Sequence, residues 1–243
     1  MNRILFEESE ISGGVATFGG VRAQHVLDVL HGEVGQVLKT GEIDGMIGTG
    51  EIVSIGRDAD GGPVVSVRTR HDAESPRPWA DLVLAPPRPR AMKRLLPQLA
   101  AMGVGRIVLV GARKVEKDFW GATLLKEENY RPLFVEGLMQ AGTSIMPALE
   151  TRRSFRRFVA DELDALFPTA RRIVAHPYAA QSQPPRTSPP ATGRLLLAIG
   201  PEGGWTDDEV AMLEAKGFER HSLGPRILRT DTATIALLAR LQD

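Results

Sequence analysis

Two glycine-proline turns near the C-terminus carry the residue types and spacing that can hold a ligand through the backbone. Gly200-Pro201-Glu202-Gly203-Gly204 follows the apolar run 195–199 and precedes a helix start at Thr206. Leu223-Gly224-Pro225-Arg226-Ile227-Leu228-Arg229-Thr230 likewise stands between a short strand and a helix. Glycine frees the backbone for close approach, and a helix N-terminus offers N–H groups to a ligand's polar atoms. No Gly-Lys-Ser/Thr follows, so neither turn is a phosphate-binding P-loop, and neither is a Gly-x-Gly-x-x-Gly fingerprint. Spacing alone leaves a plain strand-to-helix turn equally open. Two such turns at the C-terminal ends of neighbouring parallel strands would form a crevice, the usual ligand position in an open α/β sheet. Glu202 can accept a proton or brace its loop by binding amides. Arg229 can stabilise developing negative charge or sit in a surface ion pair.

Other chemistries lack their residues. The chain has no cysteine, which removes disulfides, thiolate metal sites and cysteine nucleophiles. The five histidines lack i,i+4 pairing with carboxylates, and no cysteine is present to assist. No Gly-x-Ser-x-Gly elbow is present. No apolar run approaches the roughly 18 residues of a membrane span, and the N-terminus carries acids where a signal peptide needs bases. The expectation is a cytoplasmic protein without a metal and without a membrane partner.

Two kinds of element must position the turns. Residues 15–18, 35–39, 45–55 and 64–70 read as short strands separated by glycine-rich turns, which predicts a small barrel with a short helix over 24–30. A polar, proline-containing linker covers 72–79. Strands and helices then alternate. Strands are predicted at 81–85, 106–110, 171–175, 195–199 and 221–223. Helices are predicted at 91–102, 127–141, 155–166, from Thr206, and at 230–241. Such alternation means a mostly parallel sheet covered by helices. Thr206 and Glu209 stand at capping-box spacing. The proline-rich stretch 181–193 reads as a surface loop.

Charge is uneven although the formal net charge is zero. Residues 1–75 carry 6 Lys/Arg against 12 Asp/Glu, whereas residues 76–160 carry 15 against 7. Cations that neutralise phosphates are therefore expected in the second part, at Arg88, Arg90, Lys93, Arg94, Arg113 and Lys114. A further group, Arg152, Arg153, Arg156 and Arg157, reads as solvated surface charge.

The pair of turns resembles the two signature motifs of the RsmE family, the 16S rRNA uridine-N3 methyltransferases. His176-Pro177, after the run 171–175, resembles that family's third ligand-loop motif. The resemblance covers the whole chain. It implies an α/β fold of SPOUT type, a mostly parallel sheet with a C-terminal trefoil knot, plus a small N-terminal PUA-like β-barrel. The barrel would occupy 1–72 and the methyltransferase domain 78–243. It also implies a homodimer, ribosomal RNA of the small subunit as substrate, and S-adenosylmethionine bent within the knot. The cofactor-binding residues it implies are His176 and Pro177; Ile199, Gly200, Pro201, Glu202, Gly203 and Gly204; and Leu223, Gly224, Pro225, Ile227, Leu228 and Thr230. Glu202 would be the candidate base and Arg229 the candidate stabiliser of charge. Two departures stand out. The family's barrel has arginines where this chain has Asp28 and His31. The family's Gln-Lys-x-x-Glu-Leu-Gly reads here Gln98-Leu99-Ala100-Ala101-Met102-Gly103. Two other readings stay open: a related methyltransferase acting on another base or a ribose 2′-hydroxyl, and a non-catalytic RNA-binding factor of ribosome assembly.

Overall fold

The computed structural model describes residues 2–177 and 193–242. The stretch 181–193, expected to be a loop, lies outside the described residues except at its last position. The chain divides into two compact units, Met1–Arg77 with Val135–Met146, and Pro78–Phe134 with Pro147–Asp243. The division after Arg77 falls inside the expected linker. The segment 135–146, which the sequence reading leaves with the second domain, groups with the first. Its backbone explains why: Met139 O accepts from the N–H groups of Asn2 and Arg3, and Ser144 O accepts from Asp44 N. Ser144 N in turn donates to Ser75 Oγ at 2.9 Å.

The first unit is built on a six-stranded sheet. The strands are β1 (Ile4–Phe6), β2 (Ile11–Ser12), β3 (Val15–Gly19), β4 (Val37–Glu42), β5 (Ile47–Arg57) and β6 (Pro63–Ala73), in the order β1-β4-β5-β6-β3-β2. Only the β1–β4 pair is parallel. Phe6 and Phe18 pack at 5.3 Å between ring centroids over buried Ile52, Val65 and Val67. Helix α1 (Gly20–Asp28) buries Ala23 and Val26. It starts and ends earlier than the expected 24–30, with Gly20 at φ +60 in its first position.

The second unit is a parallel sheet. Its strands are β7 (Ala80–Leu84), β8 (Val104–Val110), β9 (Ala148–Arg152), β10 (Arg171–Ala175), β11 (Leu195–Ile199) and β12 (Glu219–His221), in the order β12-β10-β11-β7-β8-β9. The central strands β7 and β11 are buried at every residue, as expected of strands covered on both faces. Asp81 is the one acid in them. Burial pushes its carboxyl up, and Arg194 partners it at 3.1 Å.

Helix α2 (Pro89–Ala101) follows β7, and proline at its first position suits a helix start. Helix α3 (Glu127–Ala141) matches its predicted span. The predicted helix 155–166 forms in three pieces, α4 (Phe155–Arg157), a π-helical turn (Phe158–Glu162) and α5 (Leu163–Leu166). The strand β9 and the short β1 and β2 are additions to the sequence reading. The last two helices are α6 (Asp207–Ala215) and α7 (Thr230–Leu241).

One interaction fixes how α6 begins. Thr206 and Glu209 form the expected capping box, with Glu209 Oε2 accepting from Thr206 N at 2.8 Å. The other carboxylate oxygen, Oε1, accepts from Arg113 N at 2.7 Å in the loop after β8. Glu209 is only 6% exposed. Glu209→Ala should leave two backbone donors without their acceptor and lower the unfolding free energy by about 3 kcal/mol, against about 1 kcal/mol for Thr206→Ala. Urea denaturation of the two variants checks this, and equal losses would show that the Arg113 bond contributes nothing.

Candidate functional site

Because all six strands of the second sheet run the same way, the loops after β7, β8, β10, β11 and β12 open at one edge. The chain grows outward from β7 through β8 to β9, and then returns to place β11 on the other side of β7. That reversal is where an open α/β sheet leaves a crevice.

A cavity of about 360 Å³ lies at this edge, within the usual size of a small-molecule site. The loop after β10 contributes His176 and Pro177. The loop after β11 contributes Gly200 to Trp205. The loop after β12 contributes Ser222 to Gly224 and Arg226 to Leu228. Thr230, Ala233 and Leu237 close it from α7, and Lys114 reaches it from the loop after β8.

Local bonds shape these walls. Gly204 N donates to Pro201 O at 2.7 Å, closing a turn that needs Gly204 at φ +69. Gly224 sits at φ +113, where a side chain would be strained. Ser222 Oγ lies 3.2 Å from Pro177 O and accepts from Gly224 N at 3.1 Å, which ties the β12 loop to the β10 loop. Thr230 Oγ1 donates to Gly200 O at 3.4 Å, tying α7 to the β11 loop. The start of α7 is also held by Asp231, which pairs with Arg94 of α2 at 3.0 Å.

The expected ligand residues come together with one exception. Thirteen of the fourteen line the cavity, and Pro225 does not. Glu202 lines it, with Oε1 accepting from Arg88 N at 3.0 Å at the start of α2. This bond ties the loop after β11 to the start of α2. Arg229 is the exposed N-cap residue of α7 and is not part of the lining. Among the described residues its side chain makes no hydrogen bond or ion pair.

The expected phosphate-binding cations separate into different environments. Arg88 faces Glu116 at 3.8 Å, with both side chains mostly exposed. Arg90 and Lys93 are exposed or nearly so along α2, whereas Arg94 is engaged by Asp231. Arg113 is exposed. Lys114, grouped with them on charge alone, instead lines the cavity, with Nζ donating to Gly203 O at 2.8 Å.

Trp205, His221 and Ser222 line the cavity without having been singled out from the sequence. Trp205 packs on Phe155 at 5.2 Å between ring centroids. Trp205 Nε1 and His221 Nε2 are buried and have no partner among the described residues. Buried polar atoms of this kind fit a wall that completes its hydrogen bonds with a ligand. A hydroxyl two residues before Gly224-Pro225 was the one available signal for Ser222.

Burial, followed by the charges of Arg240 and Arg171, holds the His221 imidazole below its ordinary range. His71 and His176 are lowered in the same direction, each mainly by burial. An unfolded histidine takes its proton near pH 6.5. The folded form takes it at lower pH, so the unfolded state holds more protons in that window. Stability should therefore fall as pH drops through about 6.5 toward the folded values. His221→Gln should flatten this slope in urea denaturation at several pH values, and an unchanged slope would exclude His221 as a contributor.

Comparison with known proteins places this chain beside RNA methyltransferases. A family model described as an RNA methyltransferase domain matches residues 73–242. A Treponema pallidum protein named ribosomal RNA small subunit methyltransferase E is 30% identical over 98% of this chain and 90% of its own. A Mycobacterium tuberculosis protein of the same name is 25% identical over 93% of this chain and 86% of its own. Among solved structures, a Legionella pneumophila protein described as a methyltransferase in complex with the bound cofactor SAM superposes with a TM-score of 0.74. It is 26% identical, covering 99% of this chain and 96% of that one. A ribosomal RNA small subunit methyltransferase E from Neisseria gonorrhoeae, bound to S-adenosyl methionine, also gives 0.74, at 21% identity over 100% and 97% of the two chains.

Proposed function

From the chain's membership of the RNA methyltransferase family, whose relatives carry the name ribosomal RNA small subunit methyltransferase E, we propose that it methylates N3 of a uridine in 16S rRNA. The protein is an S-adenosylmethionine-dependent methyltransferase acting on ribosomal RNA. The observation that carries the finer reading is the joining of three loops, after β10, β11 and β12, around one cavity.

The cavity suits S-adenosylmethionine. Its volume is adequate, its wall holds two buried polar atoms without partners, and Gly204 and Gly224 keep side chains out of the turns. His176 and Pro177, Ile199 to Gly204, and Leu223, Gly224, Pro225, Ile227, Leu228 and Thr230 would hold it, largely through backbone groups. Bound there, it supplies an electrophilic methyl group on a sulfonium. This chain's residues orient the uridine, exclude water and manage the N3 proton. Glu202 is the proposed base: Oε1 is taken by Arg88 N, and Oε2 is the oxygen that would receive the proton. Arg229, exposed at the N-cap of α7, is proposed to offset negative charge on the approaching RNA. No role is proposed for a metal.

The same reading makes the first unit a PUA-like barrel and gives the second a SPOUT fold with a C-terminal trefoil knot. The mixed six-stranded sheet with α1 supports the first. The bonds joining the β12 loop to the β10 loop, and α7 to the β11 loop, support the second. A cytoplasmic site of action follows from a ribosomal substrate. No described helix is long and apolar enough to cross a membrane. The reading also makes the protein a homodimer. Ile227 and Leu228, exposed apolar residues of the cavity lining, support this, and light scattering should give twice the mass of one chain at micromolar concentration. The mass of a single chain would count against it.

The deciding experiment incubates the protein with unmodified small subunits and labelled S-adenosylmethionine, then maps the product by mass spectrometry. N3-methyluridine at one position is expected. A methyl on another base or a 2′-hydroxyl would move the target, and no transfer would favour a non-catalytic factor. RNA is proposed to lie along Arg88, Arg90, Lys93, Arg94, Arg113 and Lys114, with the acidic first unit contributing less. Replacing Arg88 and Arg90 together by alanine should weaken RNA binding and reduce the salt slope of log K by about 2. Cofactor affinity should be unchanged. A variant that binds RNA as wild type would move the platform elsewhere.

A further inference from the structure

The cavity carries a cation whose placement the family motifs do not account for. Lys114 stands in the loop after β8, where Arg113 N is anchored to the buried Glu209 carboxylate at 2.7 Å. From there its stem runs along Gly203. A Cβ built on Gly203 would meet Lys114 Cδ at 3.0 Å, Cβ at 3.5 Å and Cγ at 3.8 Å. The ammonium reaches Gly203 O at 2.8 Å. A lysine ammonium has three donors, and this bond uses one. Among the described residues no carboxylate lies within ion-pair distance of Nζ, so the charge is not neutralised by the protein.

The other cations nearby are less suited to act on a bound base. Arg94 is engaged by Asp231. The Arg88 side chain turns to Glu116, and Arg229 is not part of the lining. Arg226 lines the cavity, but among the described residues no side-chain bond fixes it. Electrostatic catalysis depends on charge held in place before the reaction begins. Lys114 is the cavity cation that has such a hold.

Methylation at N3 creates a need for that charge. The nitrogen's lone pair is delocalised into the flanking carbonyls, so it becomes a good nucleophile only when the N3–H proton departs. The resulting negative charge is shared with O2 and O4. We propose that Lys114 is a further catalytic residue whose ammonium donates to a uracil carbonyl oxygen and stabilises this anion. The inference rests on the uridine-N3 reading. The balance is complete: the proton passes through Glu202 to solvent, the N3 pair forms the bond to the methyl carbon, and the carbon–sulfur pair returns to sulfur. The products are N3-methyluridine, S-adenosylhomocysteine and a proton.

The test compares Lys114→Met, which keeps the stem over Gly203, with Lys114→Arg, which restores a cation. Wild type is mapped first, so a methyl found elsewhere than N3 overturns the uridine reading before any variant is made. With that reading intact, Lys114→Met should lower kcat about 100-fold near neutral pH. Its rate should recover as pH rises, and Lys114→Arg should restore at least a tenth of wild-type kcat. Calorimetric affinity for S-adenosylmethionine should stay within about twofold. A second readout needs no turnover. A short RNA spanning the mapped nucleotide, with 5-fluorouridine there to acidify N3, is bound in the presence of S-adenosylhomocysteine. Wild-type affinity should rise with pH as the base ionises, and the Met variant should lose that rise. Collapse of cofactor affinity would reduce Lys114 to a brace of the Gly203 loop. A smaller salt slope for RNA with kcat unchanged would make it a phosphate contact. Either result overturns the proposal.

Discussion

The buried carboxylate of Glu209 is the constraint from which the candidate site is hung. A carboxylate 6% exposed must have its oxygens satisfied. One oxygen caps the start of α6 and the other takes the amide of Arg113. Those two ends belong to the loops after β11 and β8, which lie on either side of β7 in the sheet. A single side chain therefore sets where the Gly203 turn stands relative to Lys114. Glu202 adds a second tie, from the loop after β11 to the amide of Arg88 after β7. Two acidic anchors, each bound to backbone amides, hold the loops that line the cavity.

The cavity follows the same logic of backbone satisfaction. Its turns take their shape from glycines at positive φ and from hydroxyls that bridge loops, Ser222 between the β10 and β12 loops and Thr230 between α7 and the β11 loop. Little side-chain bulk intrudes, so the backbone itself becomes the recognition surface. The polar atoms left over, Trp205 Nε1 and His221 Nε2, are buried without a partner among the described residues. Charge is arranged differently. The first unit is acidic and the stretch 76–160 is basic, with Arg88, Arg113 and Lys114 of that stretch in the segments that follow β7 and β8.

Much of this was legible in the sequence because its signals are local. Helix α3, helix α7 and strands β10 and β11 occupy the spans their periodicity predicts. The capping box at Thr206 forms as its spacing requires. The two Gly-Pro turns announced themselves because only glycine tolerates the backbone angles they use. Short β1 and β2 were not legible, since two or three residues carry no period. Strand β9, a mixture of Glu, Thr and Arg at the sheet's edge, does not alternate cleanly. The π-helical turn within 155–166 is equally silent in an apolar pattern suited to a continuous helix.

The sequence by itself determined the element types, the ligand turns, the division into an acidic and a basic part, and the family resemblance. Each depends on neighbours along the chain, on residue chemistry or on motif order. Only the tertiary structure decided which side chains share a space. It laid Lys114, one of the cations grouped on charge, along Gly203, 89 residues away in sequence. It drew the segment 135–146 into the first unit, and it gave Glu202 the Arg88 amide as partner. These outcomes turn on strand order and on which buried polar groups find one another, and neither is written in the spacing of residues along a chain.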